Sequence, residues 1–429
     1  MRPYPRPKIL IATLGTRGDV QPYVALAEEL TLQGADVILS TGEGFEDMIE
    51  HAGARARPVS VNYQALLQQE DIRAALHSLK GMLRAARQNY ALQQRIVKEL
   101  WRIGLEEEPD LVLFNLKATV MTLVGRRLGV PALPTSLQPV LAPTADFPLA
   151  LFGLPDMGAF FNRRSYGFGR LLMKAGLGSL FKPLKQEAAR ELSVAGSTID
   201  GFQPDGSKAL SLQAFSRALV PTPADWPSQF RQCGYWFTLP PADYEPPDDL
   251  RNFLAAGAPP VYLGFGSMPS KNPQELTNTV LSALMQTGQR AILATGWGGL
   301  TGDRLPDGLA ETLFLIDKAP HSWLFPRCAG VVHHGGAGTT HEALRWGRPS
   351  LVCPVFGDQP FWGQRVHGIG AGPEPIPQKK LRVDNLARAL KELEHPDHRD
   401  AAGKAAQVMA GEPGAKGTAE QILALAAPD

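Results

Sequence analysis

Residues 8–15, KILIATLG, form an unbroken apolar run that ends on a glycine. A run without polar alternation is what a parallel strand needs when both faces of its sheet are covered. A polar stretch, TRGDVQ, follows. In PYVALAEELTLQGA (22–35), Val24, Leu26, Ala27, Leu30 and Leu32 fit a helical stripe, which predicts a helix opened by Pro22 and closed by Gly34. DVILST (36–41) returns to strand. PDLVLFN (109–115) and VPALPTS (130–136) are further strand candidates, with ATVMTLVGRRL (118–128) helical between them. This alternation predicts a doubly wound α/β domain.

From about 140 to 205 the pattern is less regular, and at 220–250 proline becomes dense, as in an extended linker. A second alternation then begins. PVYLGFGS (260–267), RAILATG (290–296), TLFLIDK (312–318), AGVVHHGG (329–336) and RPSLVCPVF (348–356) read as strands, and 272–288 reads as a helix. The last 45 residues, rich in Ala, Lys, Glu and Leu, read as helical. The expected organisation is an acceptor-side domain over 1–240, a Pro-rich linker over 241–256 and a second α/β domain over 257–400. A terminal helical segment, 401–429, is expected to pack back on the first domain.

Composition narrows the classes. At 429 residues the chain is too long for one ordinary core. Its 44% hydrophobic and 20% charged content belong to a globular protein. A net charge of +1 argues against bulk electrostatic binding of nucleic acid. Cys233, Cys328 and Cys353 have neither zinc spacing nor a disulfide framework, which points to a reducing, cytoplasmic compartment. The start reads as a first strand rather than a signal peptide.

The densest chemistry lies in GVVHHGGAGTTHEALRWG (330–347). An apolar strand ends in His333 and His334. Gly335, Gly336 and Gly338 then let the backbone approach a ligand, and a helix follows whose first N–H groups are free. Thr339 and Thr340 add hydroxyl donors. A phosphate or diphosphate fits this arrangement. A plain tight turn with a helix cap fits it too, because the P-loop lysine and the G-x-G-x-x-G pattern are both missing.

The wider set of motifs resembles the GT-B glycosyltransferases of family 1, whose two Rossmann-like domains face each other across a cleft. The likeness is closest to the sterol 3-β-glucosyltransferases and the bacterial antibiotic (glycopeptide and macrolide) glycosyltransferases. It rests on LGTRGDVQPYVALAEEL (14–30), GYWF (234–237), GFGSM (264–268), APHSWLFPRCAGVVHHGGAGTTHEAL (319–344) and FGDQPFWGQRV (356–366). No matching motif lies between about 60 and 205.

The resemblance implies that His334 and the backbone of Gly335, Gly336, Ala337 and Gly338 hold a donor diphosphate. It implies that Thr339 and Ser267 reach phosphate oxygens, that Asp358 and Gln359 bond the sugar hydroxyls, and that the backbone at Ala319 meets the base. It implies glucose as the sugar. Plant relatives place a tryptophan on the base where this chain has IDKAPH, so nucleotides other than UDP, TDP among them, stay open. Trp297 is either a substitute or a packing residue.

Asp19, in TRGD after the first strand, is placed by the resemblance as general base. Without it, a helix cap is the simpler reading. Arg17 and Gly18 are expected to shape that loop. His321 is read as structural or near the base, and Glu342 as solvated, structurally bonded or a ligand contact. The chain contains no D-x-D sequence, so no metal and no cofactor is expected. Leaving-group charge would instead fall on the helix N-terminus and His334.

The expected reaction is inverting, metal-independent transfer from UDP-glucose to a hydrophobic alcohol. A sterol comes first as acceptor and a polyketide, macrolide or peptide aglycone second. A nucleotide-sugar 2-epimerase and a non-catalytic binding protein are alternatives of another class. Residues 160–186 interleave Arg163, Arg164, Arg170, Lys174, Lys182 and Lys185 with Phe and Leu. That suits either peripheral contact with an anionic membrane or a cationic face on an ordinary helix. The predicted helical stretch 73–100 either lines the acceptor pocket or packs as core.

Overall fold

The computed structural model describes residues 6–68, 88–193, 198–239, 244–266, 272–295 and 308–426. Seven strands form the first sheet: β1 Lys8–Ala12, β2 Asp36–Ser40, β3 Arg55–Ala56, β4 Leu111–Phe114, β5 Ala132–Ser136, β6 Ser211–Gln213 and β7 Phe230–Gln232. Their order is β3-β2-β1-β4-β5-β6-β7, and every pairing is parallel. The reason for the unbroken apolar run is visible in β1. Ile9 and Ile11 enter one buried cluster with the helix α1 (Arg17–Leu32). Leu10 and Ala12 enter a second, on the opposite face, with α2 (Tyr90–Glu107) and α3 (Met121–Leu128). Alternate residues of a strand point to opposite faces, so a sheet sandwiched by helices needs apolar residues at every position. A 22-residue helix, α4 (Ala159–Leu180), lies farther along this domain.

The second sheet has β8 Val261–Gly264, β9 Ala291–Ala294, β10 Leu313–Ile316, β11 Gly330–His333 and β12 Ser350–Val352, in the parallel order β10-β9-β8-β11-β12. Around it run α5 (Asp248–Ala255), α6 (Pro273–Thr287), α7 (Ala337–Arg345), α8 (Gln359–Gly368), α9 (Val383–Leu393) and α10 (Pro396–Ala410). The last helix, α11 (Gly414–Ala426), leaves this domain. Its Ala419 and Ile422 are buried against α1, and Thr418 Oγ1 accepts from Trp236 Nε1 at 3.1 Å.

The domains share a buried apolar seam. Val140, Phe147, Tyr166 and Phe215 of the first pack with Ala337, Leu344 and Trp362 of the second. His341 pins this seam. It stacks on Tyr235 with centroids 4.4 Å apart, accepts from the Ser216 N–H at 3.1 Å through Nε2, and meets the Ala337 carbonyl at 2.7 Å through Nδ1.

Several boundaries differ from the sequence reading. α1 begins at Arg17, so Pro22 is inside it rather than at its start. The first turn is secured ahead of Pro22 by Asp19, whose carboxylate accepts from the Thr16 N–H. Arg17, Gly18 and Asp19 therefore form the helix's first turn, not a loop. α2 runs on to Glu107, past the predicted end at 100, while residues 69–87 lie outside the described ones. β6 and β7 are three residues each, too short to show a hydrophobic period. α5 lies within the stretch expected as linker, and its Leu250 is buried with Tyr262 and Ile292 of the second domain.

Candidate active site

Each sheet reverses its winding once: between β1 and β4 in the first, and between β8 and β11 in the second. Crevices form beyond the carboxyl ends of strands at such points, which makes them the natural ligand sites of this architecture. Asp19 gathers at the first of them, and His334, Gly335 and Gly336 at the second.

At the first reversal Asp19 sits on the opening turn of α1. Its Oδ2 accepts from the Thr16 N–H at 3.0 Å, and its Oδ1 lies 3.0 Å from Lys117 Nζ, just beyond β4. The carboxylate side chain is 24% exposed and the lysine 52%. Exposed pairs of this kind contribute roughly 0–1 kcal/mol, so an incoming hydroxyl can displace the ammonium from Oδ1. Gly15 makes the arrangement possible: its φ is +144°, and a Cβ there would collide with the Asp19 carboxylate. Asn115 ties the two strand ends together, donating from Nδ2 to Thr13 Oγ1 at 3.0 Å and to the Leu14 carbonyl at 3.1 Å. Arg17 bonds Gln21 at 3.0 Å, and Gly18 has open space where a Cβ would stand.

At the second reversal His333 is fully buried, and its Nδ1 accepts from the Gly335 N–H at 3.0 Å. His334 stands in a slot between Gly266 and Gly336. A Cβ on Gly266, whose φ is +63°, would come within 2.8 Å of the ring. Burial lowers His334 to about 4, so it is neutral near pH 7. Among the described residues its buried Nδ1 has no hydrogen-bond partner. An unpartnered polar atom beside a helix N-terminus is suited to a phosphoryl oxygen, which would satisfy it. Ala337, Gly338 and Thr339 form the first turn of α7, and Gly336 is its cap. Gly338 faces Tyr235 of the first domain, whose hydroxyl would be 3.0 Å from a Cβ there.

Asp358 caps α8, and its Oδ2 accepts from Trp362 Nε1 at 2.8 Å. Burial raises its pKa, opposed by the hydrogen bond from Trp362. The negative charge of Asp19 raises it further, and a hydrogen bond with Gln138, beyond β5, lowers it. Gln359 is buried, with Oε1 accepting from the Val355 N–H at 2.7 Å and the Phe356 N–H at 3.2 Å. It holds the FGDQ turn in shape.

Other candidates separate from this centre. His321 stacks on Phe325 with centroids 4.4 Å apart and lies 3.3 Å from the Tyr262 hydroxyl. Burial lowers it to about 4, helped by the positive charge of Arg17 from across the cleft and by His334. Glu342 accepts from Trp346 Nε1 at 2.7 Å and pairs with Arg345 at 3.6 Å, which commits it to α7. Ala319 follows β10 at the carboxyl edge of the second sheet and packs against its core. Ser267 and Trp297 lie outside the described residues. Sequence reasoning missed Lys117, Asn115, Gln138 and Tyr235. The first two follow a strand recognised in the sequence, at the reversal that its topology implies.

Comparison with known proteins matches both halves. Residues 9–106 match the glycosyltransferase family 28 N-terminal domain, and residues 301–425 match the erythromycin biosynthesis protein CIII-like C-terminal domain. Two sterol 3-beta-glucosyltransferases of Arabidopsis thaliana are 32% and 33% identical. The alignments cover 98% and 96% of this chain and 66% and 67% of those proteins. The Aspergillus clavatus sterol 3-beta-glucosyltransferase is 32% identical over 91% of this chain, which spans only 28% of that longer protein.

Among solved structures, the glycotransferase of kitacinnamycin aligns with a TM-score of 0.72 at 17% identity, over 99% of this chain and 100% of that one. The glycosyltransferase VinC, in complex with DTDP, aligns with a TM-score of 0.66 at 22% identity, over 98% and 99%. Two parallel-sheet domains meeting at their winding reversals, the family matches and these relatives agree. The chain is a member of the GT-B glycosyltransferase family to which the sterol 3-beta-glucosyltransferases belong.

Proposed function

We propose that this protein transfers glucose from UDP-glucose to the hydroxyl of a hydrophobic acceptor, a sterol first, and inverts the anomeric centre. The observation that carries the reading is that Asp19 and the buried His334 stand at the winding reversals of the two sheets, on α1 and just ahead of α7, two helices that pack against each other across the cleft. The choice of a sterol is supported by the likeness to sterol 3-beta-glucosyltransferases along nearly the whole chain. The match of residues 301–425 to an erythromycin-biosynthesis domain favours a polyketide-type aglycone as the second reading.

In the proposed reaction the acceptor hydroxyl displaces Lys117 from Asp19 Oδ1. Asp19 takes the hydroxyl proton as the acceptor oxygen attacks the anomeric carbon. The bond from that carbon to the diphosphate breaks, and UDP leaves with the bonding pair. A positioned base of this kind contributes about 10²–10⁴ in rate. Charge developing on the diphosphate meets the first N–H groups of α7, the Thr339 hydroxyl and an N–H of neutral His334, a set that needs no metal. Asp358 and Gln359 would orient the sugar.

The test is UDP release from UDP-glucose with and without cholesterol, in EDTA, for wild type and Asp19→Ala. Cholesterol-dependent release that falls by about a hundredfold or more in the variant, with donor affinity retained, is the expected result. Release in EDTA without cholesterol dependence would reject the sterol. Donor affinity lost together with activity would reject the base assignment.

A further inference from the structure

Twelve large apolar side chains are exposed among the described residues, and seven of them lie between Leu154 and Leu172. The concentration comes from α4, whose polarity is inverted. Its inner side buries Asn162, which donates to the Ala145 carbonyl and to Asp156, and Tyr166. Its outer side presents Phe161, Phe168, Leu171 and Leu172, with Phe168 59% and Leu171 65% exposed. A helix facing water normally shows the reverse pattern.

Charge identifies what covers this face. Residues 159–185 hold six cations and no Asp or Glu. Arg163 and Arg170 are tied to Asp225 and Asp200. Arg164 stands over the Phe160 ring at 4.7 Å, and Lys174, Lys182 and Lys185 are exposed. Apolar side chains and cations on one outward surface match a bilayer boundary, where acyl chains and anionic headgroups lie a few ångströms apart. A protein partner would have to supply both an apolar patch and acids. None of the described helices is long and apolar enough to cross a membrane, so α4 would lie in the interface.

The segment that leads into α4 adjoins the cleft: Phe147 packs edge-on against Phe361 at 5.4 Å, and Gly153, just ahead of the helix, lies against Pro360. Both partners belong to the first turn of α8, next to Asp358.

We propose that the outer face of α4 docks this protein on an anionic bilayer and sets the cleft mouth at the membrane surface, from which the acceptor enters. The entry step rests on the lipid-acceptor reading above; the docking does not. The full chain should co-sediment with vesicles of phosphatidylcholine containing phosphatidylglycerol, more weakly with phosphatidylcholine alone, and less as salt rises. Phe168→Ser with Leu171→Ser should lower vesicle binding about tenfold or more. Arg164→Glu with Lys174→Glu should abolish the preference for the anionic lipid.

Both pairs are on the outer surface and should leave transfer to detergent-dispersed sterol unchanged. Absence of vesicle binding, or binding indifferent to all four substitutions, overturns the proposal. So does a wild-type dimer that becomes monomeric in the Phe168→Ser/Leu171→Ser variant without any vesicle binding, since the face would then join two copies. Docking intact without sterol-dependent UDP release supports the surface and rejects the acceptor reading alone.

Discussion

The two domains repeat one device with opposite chemistry. In each, the turn after the first strand holds a glycine whose missing side chain makes room for a functional group: Gly15 for Asp19, and Gly266 for His334. In the first domain that group is a carboxylate, part exposed and loosely held by Lys117. In the second it is a neutral imidazole whose Nδ1 has no partner among the described residues, walled in by Gly266 and Gly336. The difference fits the two ligands of the proposed reaction. A diphosphate has one shape and two charges, so a rigid cradle of N–H groups can be built for it. An acceptor hydroxyl presents one proton on a variable apolar body, so the group that meets it must be able to exchange partners.

The sharpest way to break this comparison is to fill each glycine. Gly266→Ala places a methyl against the His334 ring at a positive φ, and should weaken donor binding about tenfold or more while leaving the acceptor side intact. Gly15→Ala places the same methyl against Asp19. It should cut kcat by a similar or larger factor with donor affinity near wild type. Calorimetric titration with UDP-glucose, beside steady-state transfer rates, separates the two. If both variants lose donor binding equally, the division of labour between the domains is wrong.

The same difference explains what could be read from the sequence. The donor half was legible because glycines, histidines and a helix start must fall within a few residues for a backbone cradle to form. His334, Gly335 and Gly336 stand together in the chain as they do in space. The strands β1, β4, β8 and β11 were legible because burial on both faces leaves almost only apolar residues between their ends. Less was visible at the first reversal. Lys117 and Asp19 are brought together only by the crossover that sets β4 beside β1. Asp19 itself was placed in a loop because Pro22 looked like a helix start. His341 reaches Ser216 and Tyr235 of the other domain, contacts no local pattern encodes. The acceptor-side stretch around α4 shows its inverted helix as composition, and only the burial of Asn162 and Tyr166 shows which side faces out.

A smaller effect tests how loosely the base is held. Lys117→Met removes the cation beside Asp19 Oδ1 and leaves the Thr16 N–H on Oδ2. Because the pair is exposed, the loss should be at most about fivefold in kcat/KM for the acceptor, with donor affinity unchanged and Lys117→Arg restoring part of it. A loss as large as that of Asp19→Ala would make Lys117 essential, not a displaceable counterion.

The mildest test uses acid. His321, His333, His334 and His341 all belong to the second domain, and burial lowers each; three of them fall to about 4. The first domain's described histidine, His51, is exposed. Unfolding returns the buried rings to water, where they bind protons below about 6.5. Between pH 6.5 and about 4 the unfolded chain therefore binds more protons than the folded one, and stability falls as pH falls. Above that window the rings are neutral in both states and contribute no slope. Thermal unfolding should move down by several degrees from pH 7 to pH 5, with the second domain leading. His341→Gln should flatten the slope, at the cost of a lower baseline from the lost stacking on Tyr235. UDP should oppose the acid shift in wild type, because a negative phosphoryl oxygen on His334 favours the protonated ring, raises its folded-state pKa and so lessens the stability lost as pH falls. An acid slope that UDP leaves unchanged would mean that the diphosphate does not touch His334. The unpartnered nitrogen would then be a packing defect and not half of a binding site.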